Sequence, residues 1–450
     1  MVDQELGMTP RGDYRIVEIN PLAEGTAPED DAAPTPSPEF LAWIRATSQG
    51  FHAQDLDDEE IAARLKNRLE DGRRFIAAYP TAERPAEIDK LEVAATFSTF
   101  DGTVNVGGTL VDADLITSVT VRTSDRRRGL LSSMMKLDLE RAVDRGQPLA
   151  LLTASEATIY RRFGFGKATY NHAISLDTRS PLALTREVPG TVYSVAPDTL
   201  FNLSQELFDT FHARTNGSVT RSIFYPLAVS GRITESSSRE RNKKARAAVY
   251  YDGDARPGGY VAYEVASEDE WPVTVKVSDL VATTLDAYLA LWQYMGSIDL
   301  VDKVTFTEAP AIDPLPFALS DSRTYKVTGR EDLLWVRILD VATALEARAY
   351  LQDGEFAITV EDPLGHAAGT YLVRISEGRA TVSRAEEASN AVVLHVADLG
   401  VLLFGGVDPI ARSAGMELRT GAGESISPSA RKEFAEWFRQ EQEPYCLTHF

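Results

Sequence analysis

Residues 118–133 read Ser-Val-Thr-Val-Arg-Thr-Ser-Asp-Arg-Arg-Arg-Gly-Leu-Leu-Ser-Ser, and two patterns of different period meet inside them. Val119 and Val121 alternate as in a strand. The following GLLSSMMKLDLERAVDRG predicts a helix, with Gly146 as its C-terminal cap. A strand therefore passes into a helix through a turn holding Arg126, Arg127, Arg128 and Gly129. A helix start exposes main-chain N–H groups and the positive end of the macrodipole, which together bind phosphate oxygens. Gly129 lets the backbone approach a ligand closely, and the arginines add charge-assisted hydrogen bonds. The turn suits a pyrophosphate, although an RRRG string taken by itself also describes a solvated basic loop.

The surroundings of the turn are those of an α/β unit. Upstream, LEVAATFSTF alternates at Val93, Ala95 and Phe97, and LITSVTVRT carries strand spacing into the turn. Downstream, PLALLTAS is an apolar run typical of an internal strand. A short helical piece to Tyr160, the turn FGFG and a closing strand near 170–176 follow. Earlier, Phe40, Trp43, Ile44 and Thr47 share one helical face, and Ile61, Leu65 and Leu69 share another on a helix beginning near Asp58. YRIVEI at 14–19 alternates as a strand, and residues 20–38, rich in proline and acidic residues, predict a mobile loop. These elements place a first domain at 1–185.

A second unit, 186–326, repeats the order. AVYYDGDARPGGYVAYEV predicts a hairpin turning at Pro-Gly-Gly, and VTVKVSDLVATT leads into the helix LDAYLALWQYM without the arginines and glycine of the first junction. From 327 to 450 the pattern changes. DLLWVRILDVATALEARAY reads as a helix, then EFAITVEDP, TYLVRIS and RATVSR as a meander, and SARKEFAEWFRQ as a last helix. The fold class expected is α/β (α+β), in three units.

A chain of 450 residues exceeds one hydrophobic core, in line with several domains. Its 46 basic and 67 acidic residues leave a net charge of -21, which opposes nucleic-acid binding and suits cationic small molecules or peptides. The single cysteine, Cys446, excludes an intrachain disulfide and any thiolate zinc cluster. The start MVDQELGMTPRGDYR has no secretory core and no apolar run is long enough to cross a bilayer, so a cytoplasmic protein with no membrane partner is expected. The six histidines show no metal-ligand spacing, and no metal is expected.

With the turn in place, VTVRTSDRRRGLL resembles the V-x-V...R-x-x-G-x-G/A signature of GNAT acetyltransferases, Leu131 standing where a small residue is usual. ASEATIYRRFGFG at 154–166 and LLWVRILDVATALEARAY resemble segments of the Eis (enhanced intracellular survival) family. The resemblance covers nearly the whole chain. It implies tandem GNAT domains, the second degenerate, followed by a sterol-carrier-protein-like domain, with acetyl-CoA as cosubstrate and a homohexameric assembly. It places main-chain groups of Val119 and Val121 along the pantetheine arm, Arg126, Arg127, Gly129 and Leu130 at the pyrophosphate, and Ser155 near the acyl-donor site.

Amine acetylation needs a proton for the departing thiolate and a base for the amine. The resemblance assigns these to Tyr160 and to the carboxylate of Phe450. Read without it, Tyr160 is a packed aromatic and the chain end a frayed terminus. Acceptor candidates are Trp43, Phe51, His52 and Asp55, because a cationic amine uses aromatic faces and acids. The reading that follows is an N-acetyltransferase of polycationic acceptors, aminoglycosides being the family's class. Its rivals are a protein or peptide lysine acetyltransferase and an apolar-ligand or partner-binding scaffold with vestigial acyl transfer.

Overall fold

The computed structural model describes residues 4–5, 14–24, 34–85, 92–154, 156–234, 236–266 and 273–450. The elements in chain order begin with β1 (Gln4–Glu5), β2 (Tyr14–Glu18), α1 (Pro38–Gly50), α2 (Asp58–Glu70), β3 (Arg74–Pro80), β4 (Ala95–Val106), β5 (Thr109–Val121), α3 (Leu130–Asp144), β6 (Leu149–Thr153) and β7 (Gly166–Lys167). Next come β8 (Tyr170–Asp177), β9 (Thr191–Val195), α4 (Leu200–His212), α5 (Phe224–Val229), β10 (Arg246–Tyr251), β11 (Pro257–Val265), β12 (Val273–Ala282), α6 (Leu285–Met295), β13 (Val301–Pro310), α7 (Leu315–Ala318) and β14 (Tyr325–Asp332). The chain continues with β15 (Leu334–Ile338), α8 (Val341–Ala347), β16 (Gly354–Glu361), β17 (Gly369–Ser376), β18 (Arg379–Ala385), β19 (Val392–His395), α9 (Val396–Phe404), α10 (Pro409–Arg412) and α11 (Pro428–Glu436).

Local chemistry starts the helices where the sequence places them. Ser37 caps α1 by accepting from the Phe40 N–H, with Pro38 in the first turn, and Asp57 caps α2 by accepting from the Glu60 N–H. Phe40, Trp43, Ile44 and Thr47 form the buried face of α1, and Ile61 and Leu65 that of α2. The ends of the expected loop 20–38 are tied together, with Ala23 donating to the Thr35 carbonyl at 3.0 Å and Ser37 to that of Pro21 at 2.9 Å. Residues 25–33 lie outside the described residues. The second hairpin turns earlier than expected. Asp252 Oδ1 accepts from the N–H groups of Asp254 and Arg256, which makes the turn, and Pro257-Gly258-Gly259 already belong to β11.

Three sheets result, with eight, seven and four strands in the orders β1-β2-β3-β4-β5-β6-β15-β7, β14-β8-β13-β12-β11-β10-β9 and β18-β17-β16-β19. The sheets exchange strands across the expected boundaries at 185/186 and 326/327. The strand near 170–176, expected to close the first unit, is β8, and it pairs with β13 and β14 in the second sheet. The segment expected as one helix from Asp332 begins with β15, which pairs antiparallel with both β6 and β7 in the first sheet. The reason is burial. Leu334, Val336 and Ile338 are fully buried in one apolar cluster with Leu115 and Leu151 of the first sheet and Val360, Val373 and Phe404 of the third unit. A strand enclosed on both faces reads as a continuous apolar run, which periodicity does not separate from a helix.

Candidate active site

β5 leads into the turn at Arg126–Gly129, and its pairing changes along its length. Its parallel partnership with β6 runs from Ala113↔Leu149 to Ile116↔Leu152 and goes no further. Opposite, the register against β4 slips by one residue between Thr96↔Thr120 and Ser98↔Thr117, with Ser118 at a φ of 54°. That is a β-bulge, which bends and twists β5 away from β6. Val119 and Val121 stand on the diverging part, beyond the last parallel pair. The strands thus open a wedge at the place where a ligand's chain could lie between them.

The turn itself is held rigid from behind. Asp125, 1 % exposed, accepts from the Tyr14 hydroxyl and from Arg84 Nη2, each at 2.5 Å, and from Ser124 Oγ at 2.9 Å. Burial opposes the charge, but these donors outweigh it and hold the Asp125 carboxyl below its ordinary value. On the outer side, Arg127 and Gly129 are both left-handed, at φ 63° and 81°. The main-chain N–H groups from Arg127 through Ser132 have no acceptor among the described residues, and no side chain caps α3. A side chain at Gly129 would meet open space, so its left-handed backbone, not crowding, calls for glycine. Arg126 and Arg127 are exposed and carry no ion pair with a described carboxylate. Leu130 offers its N–H here while its side chain is buried in the core. Such a ring of unpaired donors with free arginines is an anion cradle suited to a pyrophosphate.

Tyr160 follows β6 on a short 3₁₀ turn and packs in the same apolar cluster as Val119, Val121, Leu130 and Leu131. Its ring lies edge-on to Phe165 at 6.2 Å and to Trp335 of β15 at 6.3 Å. The residue is 7 % exposed, yet its hydroxyl has no hydrogen-bond partner among the described residues and is not sealed from solvent. Burial, with Glu156 adding, pushes its phenol above the ordinary 10.0, so it remains a proton donor at neutral pH. Ser155 lies outside the described residues.

The chain end is no frayed terminus. Cys446, Leu447 and Thr448 are 0, 3 and 1 % exposed. Asn171 Nδ2 donates to the Cys446 carbonyl at 2.8 Å, and Thr448 Oγ1 to that of Val219 at the same distance. Phe450 packs its ring edge-on to Phe100 at 6.1 Å, and its main-chain oxygen accepts from Thr153 Oγ1, at the end of β6, at 3.2 Å. Phe450 thus reaches the last residue of β6, the strand that Tyr160 follows in the chain.

The acceptor candidates separate. Trp43 is a core residue, 0 % exposed, with its indole N–H donated to the Ile76 carbonyl at 3.0 Å and its ring against Phe40 and Phe75. It is corrected from the acceptor set, because the face it shares with Phe40 and Ile44 turns toward the sheet. Phe51, 51 % exposed, and His52, at a φ of 57°, follow the end of α1, where Gly50 touches Thr120 so closely that any side chain would collide with it. Asp55 lines a cleft of about 520 Å³ between α2 and residues 236–240, together with Asp57, Glu60 and Glu240. Arg64 closes the cleft by pairing with Glu60 at 2.7 Å and donating to the Ser236 carbonyl at 2.6 Å.

Sequence reading missed Asp125, Tyr14 and Arg84, whose roles depend on contacts between distant segments, and Thr153, one unremarkable residue at a strand end. The unbroken apolar run of β15 was the one available signal for Trp335. Among the described residues, no group of three or more His, Cys, Asp or Glu is placed to hold a metal ion, and no helix is long and apolar enough to cross a membrane.

Residues 33–168 and 230–338 each match an acetyltransferase (GNAT) domain, and 341–447 match a sterol carrier protein domain. An uncharacterized N-acetyltransferase of Streptomyces avermitilis is 33% identical over 400 residues, covering 86% of this chain and 92% of its own. N-acetyltransferase Eis of Mycobacterium tuberculosis is 31% identical over 306 residues, covering 67% of this chain and 73% of its own. The crystal structure of Eis1 from Mycobacterium abscessus superposes with a TM-score of 0.72 at 26% identity, covering 91% of this chain and 96% of that one.

Proposed function

The chain belongs to the Eis family of GNAT N-acetyltransferases, and from that premise we propose that it moves the acetyl group of acetyl-CoA to amines of polycationic acceptors, aminoglycosides foremost. The GNAT fold implies acetyl-CoA as cosubstrate. In this reading Arg126, Arg127 and the N–H groups of Gly129 and Leu130 hold the pyrophosphate, and the diverging backbone at Val119 and Val121 holds the pantetheine arm. The Phe450 carboxylate takes the amine's proton, directly or through water, and the Tyr160 hydroxyl protonates the departing CoA thiolate. Three observations on the segments after β5 and β6 support it: the N–H groups at 127–132 and the Tyr160 hydroxyl have no partner among the described residues, Tyr160 packs with Val119 and Val121, and the tail reaches Thr153.

The acceptor class rests on charge. Four carboxylates, Asp55, Asp57, Glu60 and Glu240, line the cleft beside α2 against Arg64 and Arg239, within a chain of net charge -21. Such a field draws in a polycation. Phe51 and His52 follow Gly50, which touches Thr120 of β5, and belong to the proposed acceptor site with Asp55. The homohexamer belongs to the same proposal, and exposed Phe317 and Leu300, at 84 and 72 %, are apolar surface that an assembly would cover.

Coenzyme A release is the direct test, with kanamycin, a lysine peptide and no acceptor run in parallel. Turnover with kanamycin is expected. Turnover with the peptide only would replace the aminoglycoside reading by lysine acetylation, and binding of acetyl-CoA with no turnover would point to a scaffold. The cradle has its own expected result. Arg126 and Arg127 replaced together by alanine should raise KM for acetyl-CoA about tenfold, since each arginine's charge-assisted bonds contribute on that scale. The rise should shrink in high salt. An unchanged KM at low salt would remove both residues from the donor site.

A further inference from the structure

The tail reaches Thr153 only because something grips its last residues, and that grip comes from the second sheet. At 445–448 the tail is tied by Asn171, Val219 and Glu308, whose carbonyl accepts from the Tyr445 hydroxyl at 2.5 Å. At His449, among the described residues, the polar contacts go to two partners, Glu308 and Tyr225. His449 Nε2 lies 3.3 Å from Glu308 Oε1, and the His449 main-chain N–H donates to the Tyr225 hydroxyl at 2.6 Å. The same hydroxyl has the Leu447 and His449 carbonyls at 3.3 Å as acceptors. It is a clasp on the backbone immediately before Phe450.

Tyr225, on α5, is itself held in place. The Arg221 guanidinium stacks between the rings of Phe208 and Tyr225, at 4.1 and 4.2 Å from their centroids. Arg221 is fixed in turn by two bonds to Asp279, at 2.7 and 2.8 Å, and one to the Tyr260 hydroxyl at 2.9 Å. Arg221 and Asp279 are 7 and 5 % exposed. A buried pair of this kind adds little to stability relative to apolar packing but imposes one geometry on what touches it. Asp279 sits on β12, which has the place in the second sheet that β5 has in the first, with an antiparallel hairpin partner before it and a parallel strand and helix after it. At the end of β12 there is no arginine or glycine, and the Thr284 side chain caps α6 by accepting from Ala287. At the end of β12, therefore, the described residues form no open anion cradle, and this equivalent strand supports the tail through Asp279.

We propose that Tyr225 is a positioning residue for acetyl transfer, clasping the main chain at Leu447 and His449 so that the Phe450 carboxylate is presented at the end of β6. This rests on the reading of Phe450 as the base. Because burial pushes the Tyr225 phenol up, its O–H stays available as a donor.

Tyr225→Phe keeps the ring over Arg221 and removes the clasp. The variant should show kcat about tenfold lower, the scale of one net hydrogen bond, with KM for acetyl-CoA unchanged. Carboxypeptidase should also release Phe450 and His449 faster from it than from the parent, while the thermal midpoint shifts by only a few degrees, about the effect of one such bond. A release rate equal to the parent's overturns the clasp. Faster release with unchanged kcat overturns its part in the reaction. Parent and variant are compared with a chain extended beyond Phe450. If the extended chain stays active, the Phe450 reading fails. If it is inactive while Tyr225→Phe behaves as the parent, the clasp alone fails.

Discussion

Tyr160→Phe is expected to bind acetyl-CoA as the parent does and to lose about 10² to 10⁴ in kcat, the range for removing a general acid. The ring is fixed by Phe165, Trp335 and the surrounding apolar cluster, so phenylalanine fills the same space and only the hydroxyl is lost. That hydroxyl satisfies no other group among the described residues, so its removal leaves no unpaired partner and costs little stability. The pH profile gives a second check with a defined sign. The active form of a general acid is protonated, and burial raises the Tyr160 pKa above 10.0. Activity dependent on this proton is therefore present throughout the neutral range and declines only above pH 10. A kcat within a few fold of the parent's would remove Tyr160 from the reaction.

A peptide extension after Phe450 is expected to abolish turnover, by at least about 10²-fold, the lower bound for losing a general base. The extension converts the carboxylate into a neutral amide and pushes new atoms into a tail packed from Pro444 to Thr448 and ending against Phe100 and Thr153. Coenzyme binding should persist, because the cradle at Arg126 to Ser132 lies on other elements. The comparison is between the same chain tagged at its N-terminus and at its C-terminus, each assayed for acetyl-CoA binding and for coenzyme A release. Equal turnover would end the assignment of the terminal carboxylate. Loss of both binding and turnover would show that the tail supports the fold of the donor site rather than the proton transfer.

Legibility differed along the chain for physical reasons. The helical faces of α1 and α2 and the glycine that starts α3 were readable because each depends on residues a few positions apart. Trp43 was misplaced because an aromatic on an amphipathic helix is equally suited to a ligand and to a core, and only the position of the sheet below it decides. Gly129 stands at a left-handed position, as a glycine at a tight turn allows, but the neighbouring left-handed Arg127 and the bulge at Ser118 carry no residue signature, since neither is glycine. The clasp was invisible. Tyr225, Arg221, Asp279 and His449 are far apart in the chain, and none of them stands in a motif.

By itself, then, the sequence determined the local elements, the strand-to-helix junction and the α/β class, because periodicity and helix-start signals are short-range properties. The tertiary structure decided which sheet each strand joined, sending 170–177 to the second and 334–338 to the first. It also decided that the last residues lie anchored beside β6. Those outcomes depend on long-range burial, on which apolar strand fills the gap between β6 and β7 and which side chains meet the tail, and this is set only when the whole chain packs at once.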